Sequence, residues 1–189
     1  MVALLVLGSA ILLYSCVELE VNKANKETLM TQYSDTLTII QTEEGRCDYI
    51  FNTPLMERYE FAKEPYMEFR RGIEVTSYND STGQMSSFLR ADYAIFFEKR
   101  QLWETKGNVV ARSSDEQTIY TQQLFWNQKT HKIYSNVDSK VVKGQDVFIG
   151  EGFESDEQFE KWSFRNFTGK LLVDTEVTEQ PDSTADDQK

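Results

Sequence analysis

From residue 73 to residue 142 the chain repeats one grammar: short runs in which apolar and polar residues alternate, each ended by a cluster of turn formers. Residues 73–78 run into Asn79, Asp80, Ser81, Thr82 and Gly83; residues 84–97 into Glu98, Lys99 and Arg100; residues 101–112 into Ser113, Ser114, Asp115 and Glu116. Residues 117–126 then meet a turn at Asn127, Gln128, Lys129 and Thr130, and residues 132–142 meet one at Lys143, Gly144, Gln145 and Asp146. Alternation with period two marks a half-buried strand, whereas a helix needs apolar residues at i, i+3 and i+4. Regular turns between such runs predict an all-β fold of stacked antiparallel hairpins: a meander, a barrel or a jelly roll.

A faint internal repeat supports stacking. Ala91 placed over Thr121 aligns residues 91–103 with 121–134 at an offset of 30 to 31, and Gly152 begins a weaker third copy. A repeated hairpin packs on its neighbours and extends one long core. Aromatic residues make up 13% of the chain, and runs such as Ile95, Phe96, Phe97 and Leu124, Phe125, Trp126 place apolar groups on both faces of a strand. Both faces are then covered, or one of them lines something apolar.

The two ends read differently. Residues 1–15 carry no charge, and Leu13, Tyr14, Ser15 and Cys16 follow the order of a lipoprotein signal, with Cys16 as the lipid anchor. The apolar run from Val2 to Val17 would extend about 24 Å as a helix, short for a bilayer core; the alternative is a short membrane helix in which Cys16 is a small hydrophobe. Residues 16–27 read as a tether, residues 28–173 as the β domain, and residues 174–189, acidic and almost without apolar side chains, as a disordered tail. With Cys16 lipidated, Cys47 has no intramolecular disulfide partner and reads as structural.

The residues point away from catalysis. The single histidine, His131, falls in a turn beside Lys129 and Lys132 and reads as a solvated surface group; no Ser/His/Asp or Cys/His arrangement is convincing with one histidine, and no His/Cys cluster has metal-ligand spacing. No phosphate loop or dinucleotide fingerprint occurs, and no metal or cofactor is expected. A net charge of −11 sets the chain against nucleic acid. Carboxylates are plentiful, which leaves a glycosidase-like pair as a third-ranked reading, but they fall mainly in turns or alternate with apolar residues, as on a solvated sheet face.

Residues 54–61 (PLMERYEF), 65–80, 89–110, 124–135 (LFWNQKTHKIYS) and 150–162 (GEGFESDEQFEKW), in that order, closely resemble the LptC family of lipopolysaccharide-transport proteins. The resemblance implies an open, twisted β-jelly roll whose apolar interior takes lipopolysaccharide acyl chains. It also implies an LptB2FG-type inner-membrane ABC transporter as donor and an LptA-type periplasmic bridge protein as acceptor, joined by stacked strands. The region from about residue 28 to 51 is expected to face the transporter, and residues 163–173 the bridge. The groove positions expected on this reading are Leu89, Phe97, Leu102, Val109, Ile119, Leu124, Ile133 and Val141. Gly150 and Gly152 match a family glycine pair near the bridge edge. Typical members carry a full transmembrane helix, from which the short segment ending in Cys16 departs. The rival function is a surface lipoprotein module that binds glycans.

Overall fold

The computed structural model describes residues 26–157, 159 and 161–172. The expectations for residues 1–25, including Cys16, and for the tail beyond residue 172 lie outside them. The chain forms β1 (Gln32–Glu43), β2 (Arg46–Tyr59), β3 (Tyr66–Phe69), β4 (Ile73–Tyr78), β5 (Met85–Ala91) and β6 (Tyr93–Phe97), followed by β7 (Leu102–Ser113), β8 (Thr118–Asn127), β9 (Lys132–Tyr134), β10 (Asp138–Lys143), β11 (Asp146–Asp156) and β12 (Trp162–Leu172). All pairings are antiparallel and belong to one continuous sheet of 12 strands. The fold is an all-β, open jelly roll.

The sheet is folded lengthwise into two layers. β1, β2, β7, β8, β11 and β12 are long enough to run through both. In layer A the order is β1-β2-β4-β5-β7-β8-β10-β11-β12; in layer B it is β1-β2-β3-β6-β7-β8-β9-β11-β12. Runs expected as single strands, 84–97 and 132–142, are each cut in two where the chain turns this corner, at Asp92 and at residues 135–137.

The corner needs backbone that ordinary strand residues do not supply. Gly72 has φ +86°, Gly107 +74° and Asn108 +46°, and the Gly107–Asn108 pair forms a bulge opposite β8. The polar groups freed there are satisfied. Thr53 Oγ1 donates to the Gly72 carbonyl at 2.8 Å, the Asp92 amide to the Gly107 carbonyl at 3.0 Å, and Asn108 Nδ2 to Asp92 Oδ2 at 2.6 Å. Farther along, Thr121, Ser135 and Ser139, all buried, share hydroxyl hydrogen bonds of 3.0 and 3.2 Å. Unpaired buried donors would cost about 1–3 kcal/mol each, so this row of small polar residues is what lets the sheet bend.

The core lies between the layers. Ala94, Phe153, Val109, Val141, Ala111 and Ile119 are all but inaccessible. Towards β11 and β12 the space is filled by aromatic rings: Phe153, Phe164 and Phe148 surround Trp162, with ring centroids 5.1 to 6.3 Å apart. Towards β1 it is not filled.

Candidate functional site

Between the layers, from β1 to β8 and β9, lies a cavity of about 1000 Å³. Pleating decides what lines it, because alternate residues of each strand point to opposite faces. Layer A supplies Leu37, Ile39, Tyr49, Phe51, Val75, Leu89 and Ala111. Layer B supplies Met56, Met67, Phe69, Phe96, Trp103, Leu124, Trp126 and Ile133. Trp103 organises the layer B wall, stacking on Phe69 at 5.5 Å and on Phe96 at 4.8 Å.

The hairpin loops at the free ends of the two layers form the margins of this space. On the layer B margin Arg58, Glu98, Gln101, Gln128 and Glu157 line the cavity's polar edge. Arg58 donates from Nε and Nη2 to the two Glu98 oxygens at 2.7 and 3.1 Å, and this hydrogen bonding raises its pKa further above the ordinary arginine value. Glu157 accepts from Trp126 Nε1 at 2.6 Å and sits 2.9 Å from His131 Nδ1. Phe159, buried and at φ +60°, lies at the β12 end of the cavity, where its carbonyl accepts from Gln117 Nε2 of the opposite layer at 3.5 Å. Such an arrangement accepts a body that is apolar along its length and polar at one side. Among the described residues no group of three or more His, Cys, Asp or Glu is gathered as for a metal ion.

Of the expected groove positions, Leu89, Leu124 and Ile133 line the cavity. Val109, Ile119 and Val141 face inward but belong to the packed interior beyond it, across β7, β8 and β10. Phe97 and Leu102 are corrections. Phe96 and Trp103 face the cavity, so their chain neighbours Phe97 and Leu102, paired with each other, point to the outer face, where the Arg100 guanidinium lies 4.0 Å from the Phe97 ring centre. Gly150 packs against Phe164 and the Asn166 carbonyl at a register shift between β11 and β12. Gly152, at φ +69°, lies against the Arg165 side chain. Sequence reasoning missed Trp103, Trp126 and Phe159; the two tryptophans were visible as the largest apolar side chains of their strands.

The family model described as lipopolysaccharide-assembly, LptC-related, matches residues 1–162 of the 189. The chain belongs to the LptC family. Membership carries a role in lipopolysaccharide transport and an inner-membrane-associated periplasmic location, and LptC is a transport family rather than an enzyme family. Comparison with curated proteins gave no match. No helix among the described residues is long and apolar enough to cross a membrane. Among the described residues the two ends of the LptC-family sheet are edges: β1 pairs there only with β2, and β12 only with β11. Both edges expose apolar side chains, Tyr33, Ile39 and Ile40 on β1 and Phe167 on β12.

Proposed function

We propose that the cavity shelters lipopolysaccharide acyl chains in transit, received from an LptB2FG-type transporter at the β1 edge and passed to an LptA-type bridge protein at the β12 edge. The observation that carries this reading is the apolar cavity of about 1000 Å³ in a sheet whose two ends, β1 and β12, are edges among the described residues. Each methylene sheltered there gains ~0.8 kcal/mol over water. An unpaired edge offers a row of backbone donors and acceptors to a partner strand, and exposed Ile39, Ile40 and Phe167 add apolar contact to it. The same reading takes Cys16 as the lipid anchor on a tether of residues 16–27. Cys16→Ser is then expected to release the protein from the membrane fraction, and full retention would assign anchoring to the apolar segment itself.

A photo-crosslinking residue tests the conduit. Placed at Leu124, which faces the cavity, it is expected to form an ATP-dependent lipopolysaccharide adduct in cells; placed at Tyr120, exposed on the same strand, it is not. Equal labelling at both, or none at Leu124 and at Leu89, refutes the reading. The glycan-binding alternative would use the ring pairs Tyr59–Tyr66 and Phe125–Tyr134, stacked at 4.7 and 4.9 Å outside the cavity. It predicts carbohydrate binding that survives filling of the cavity.

A further inference from the structure

Resting on the reading that acyl chains occupy the cavity, we infer that Lys63, Lys99 and Lys129 form a phosphate-binding track along the layer B margin, engaging the anionic headgroup of the lipid whose chains lie between the layers.

The three lysines come from successive hairpin turns of that margin, β2–β3, β6–β7 and β8–β9, and all three are exposed. Turns of neighbouring hairpins stand two strands apart, roughly 10 Å. The ammonium groups are held along the row: Lys99 Nζ donates to the Lys63 carbonyl at 3.4 Å, and Lys129 Nζ to the Lys99 carbonyl at 2.7 Å. An ammonium has three hydrogens, so each of these two keeps donors for a ligand.

Charge distinguishes these residues from their neighbours. Along the same margin Arg58 is matched by Glu98, Arg100 by Glu64, and His131 by Glu157. Among the described residues Lys63, Lys99 and Lys129 have no carboxylate within ion-pair distance. Three like charges are thus kept in a row on a protein of net charge −11, which is unfavourable until an anion joins them. The opposite margin is acidic. Its turns carry Glu44, Asp80, Asp115, Glu116 and Asp146 against Arg46 and Lys143. A phosphate is drawn to one lip and repelled from the other, which fixes how the amphiphile lies across the cavity.

The row also touches the cavity. Glu98 and Gln101, which bracket Lys99 and Arg100, and Gln128, which precedes Lys129, line its edge. Chains in the cavity and a phosphate on the lysines therefore fit one molecule.

The test measures binding of two probes to the full-length protein: a bisphosphorylated, acylated glucosamine disaccharide, and the same molecule with its phosphates removed. The wild-type protein is expected to prefer the phosphorylated probe by roughly tenfold or more, and the preference should shrink as salt rises. Replacing all three residues, Lys63→Gln, Lys99→Gln and Lys129→Gln, should abolish most of that preference while changing affinity for the dephosphorylated probe less than about twofold. A control carrying Lys106→Gln, Lys140→Gln and Lys170→Gln removes the same net charge elsewhere and should keep the preference. If the first triple variant also keeps it, or the control loses it equally, the track is wrong while the conduit stands. If the wild-type protein binds neither probe, the conduit reading fails and the track falls with it.

Discussion

Glu98 accepts two hydrogen bonds from Arg58, at 2.7 and 3.1 Å, across 40 residues of chain. Arg58 stands where the equivalent hairpins place Phe96 and Trp126, so its charge lies on the cavity wall and depends on Glu98 for compensation. Glu98→Ala is expected to cost about 1–2 kcal/mol by leaving the guanidinium unpaired, whereas the double variant Arg58→Met/Glu98→Leu should be neutral or mildly stabilising, because replacing both partners leaves no charge without its counterpart. Denaturant unfolding of the two variants decides the matter; equal losses would mean the pair acts only through packing.

Ala111 is 2% exposed and faces the cavity. Enlarging it into a packed core would cost about 1–3 kcal/mol by overpacking, but here there is room. Ala111→Leu should leave the melting temperature unchanged or raised and weaken binding of an acyl-chain probe at least several-fold. A destabilised variant with unchanged probe binding would show that the cavity is not where the probe sits.

Gly150 and Gly169 offer a matched pair. A Cβ on Gly150 would stand 2.6 Å from Phe164 Cγ and 2.7 Å from the Asn166 carbonyl, while one on Gly169 meets nothing within 4 Å. Gly150→Ala should therefore destabilise by about 1–3 kcal/mol. Gly169→Ala should be neutral or stabilise by a few tenths to about 1 kcal/mol through the unfolded chain. Thermal unfolding separates the two, and amide exchange in β12 should quicken for the first alone.

Hydrogen bonds from Ser113, and then from Gln117, hold the Asp115 carboxyl below its ordinary value of 3.8. A depressed carboxylate stabilises the fold above its unfolded pKa and loses that contribution as pH falls through the folded one. The stability difference between the wild-type protein and Asp115→Asn should therefore be constant above about pH 5 and close as pH drops below 3.8. A difference that stays flat to pH 2 would refute the assignment. The group is half exposed, so the effect is small.

Strand and turn were legible because alternation and turn chemistry are local. The faint repeat carried more than it first offered: Ala91, Thr121 and Gly152, the starts of its three copies, are all buried residues at the corner. Facing was harder to read. In β8, Leu124 and Trp126 point inward and so do Ile119 and Thr121, so the strand changes parity at the bulge opposite Gly107 and Asn108. Strict alternation cannot represent that step. The misplacement of Phe97 and Leu102 has the same origin, since in Phe96–Phe97 either residue satisfies an apolar pattern. The lysine row was invisible in sequence, because Lys63, Lys99 and Lys129 become neighbours only when hairpins stack.

On the conduit reading, a body moved along the cavity by one hairpin, roughly 10 Å, meets Trp126 where it had met Phe96, Ile133 where it had met Trp103, and Lys129 where it had met Lys99. On that reading its free energy along this axis would follow the period of the repeat rather than slope. A corrugated profile lets a passenger step in either direction with equal ease. Any bias must enter at the two places where the period is broken, at Arg58 near β1 and at the ring cluster around Trp162 near β12.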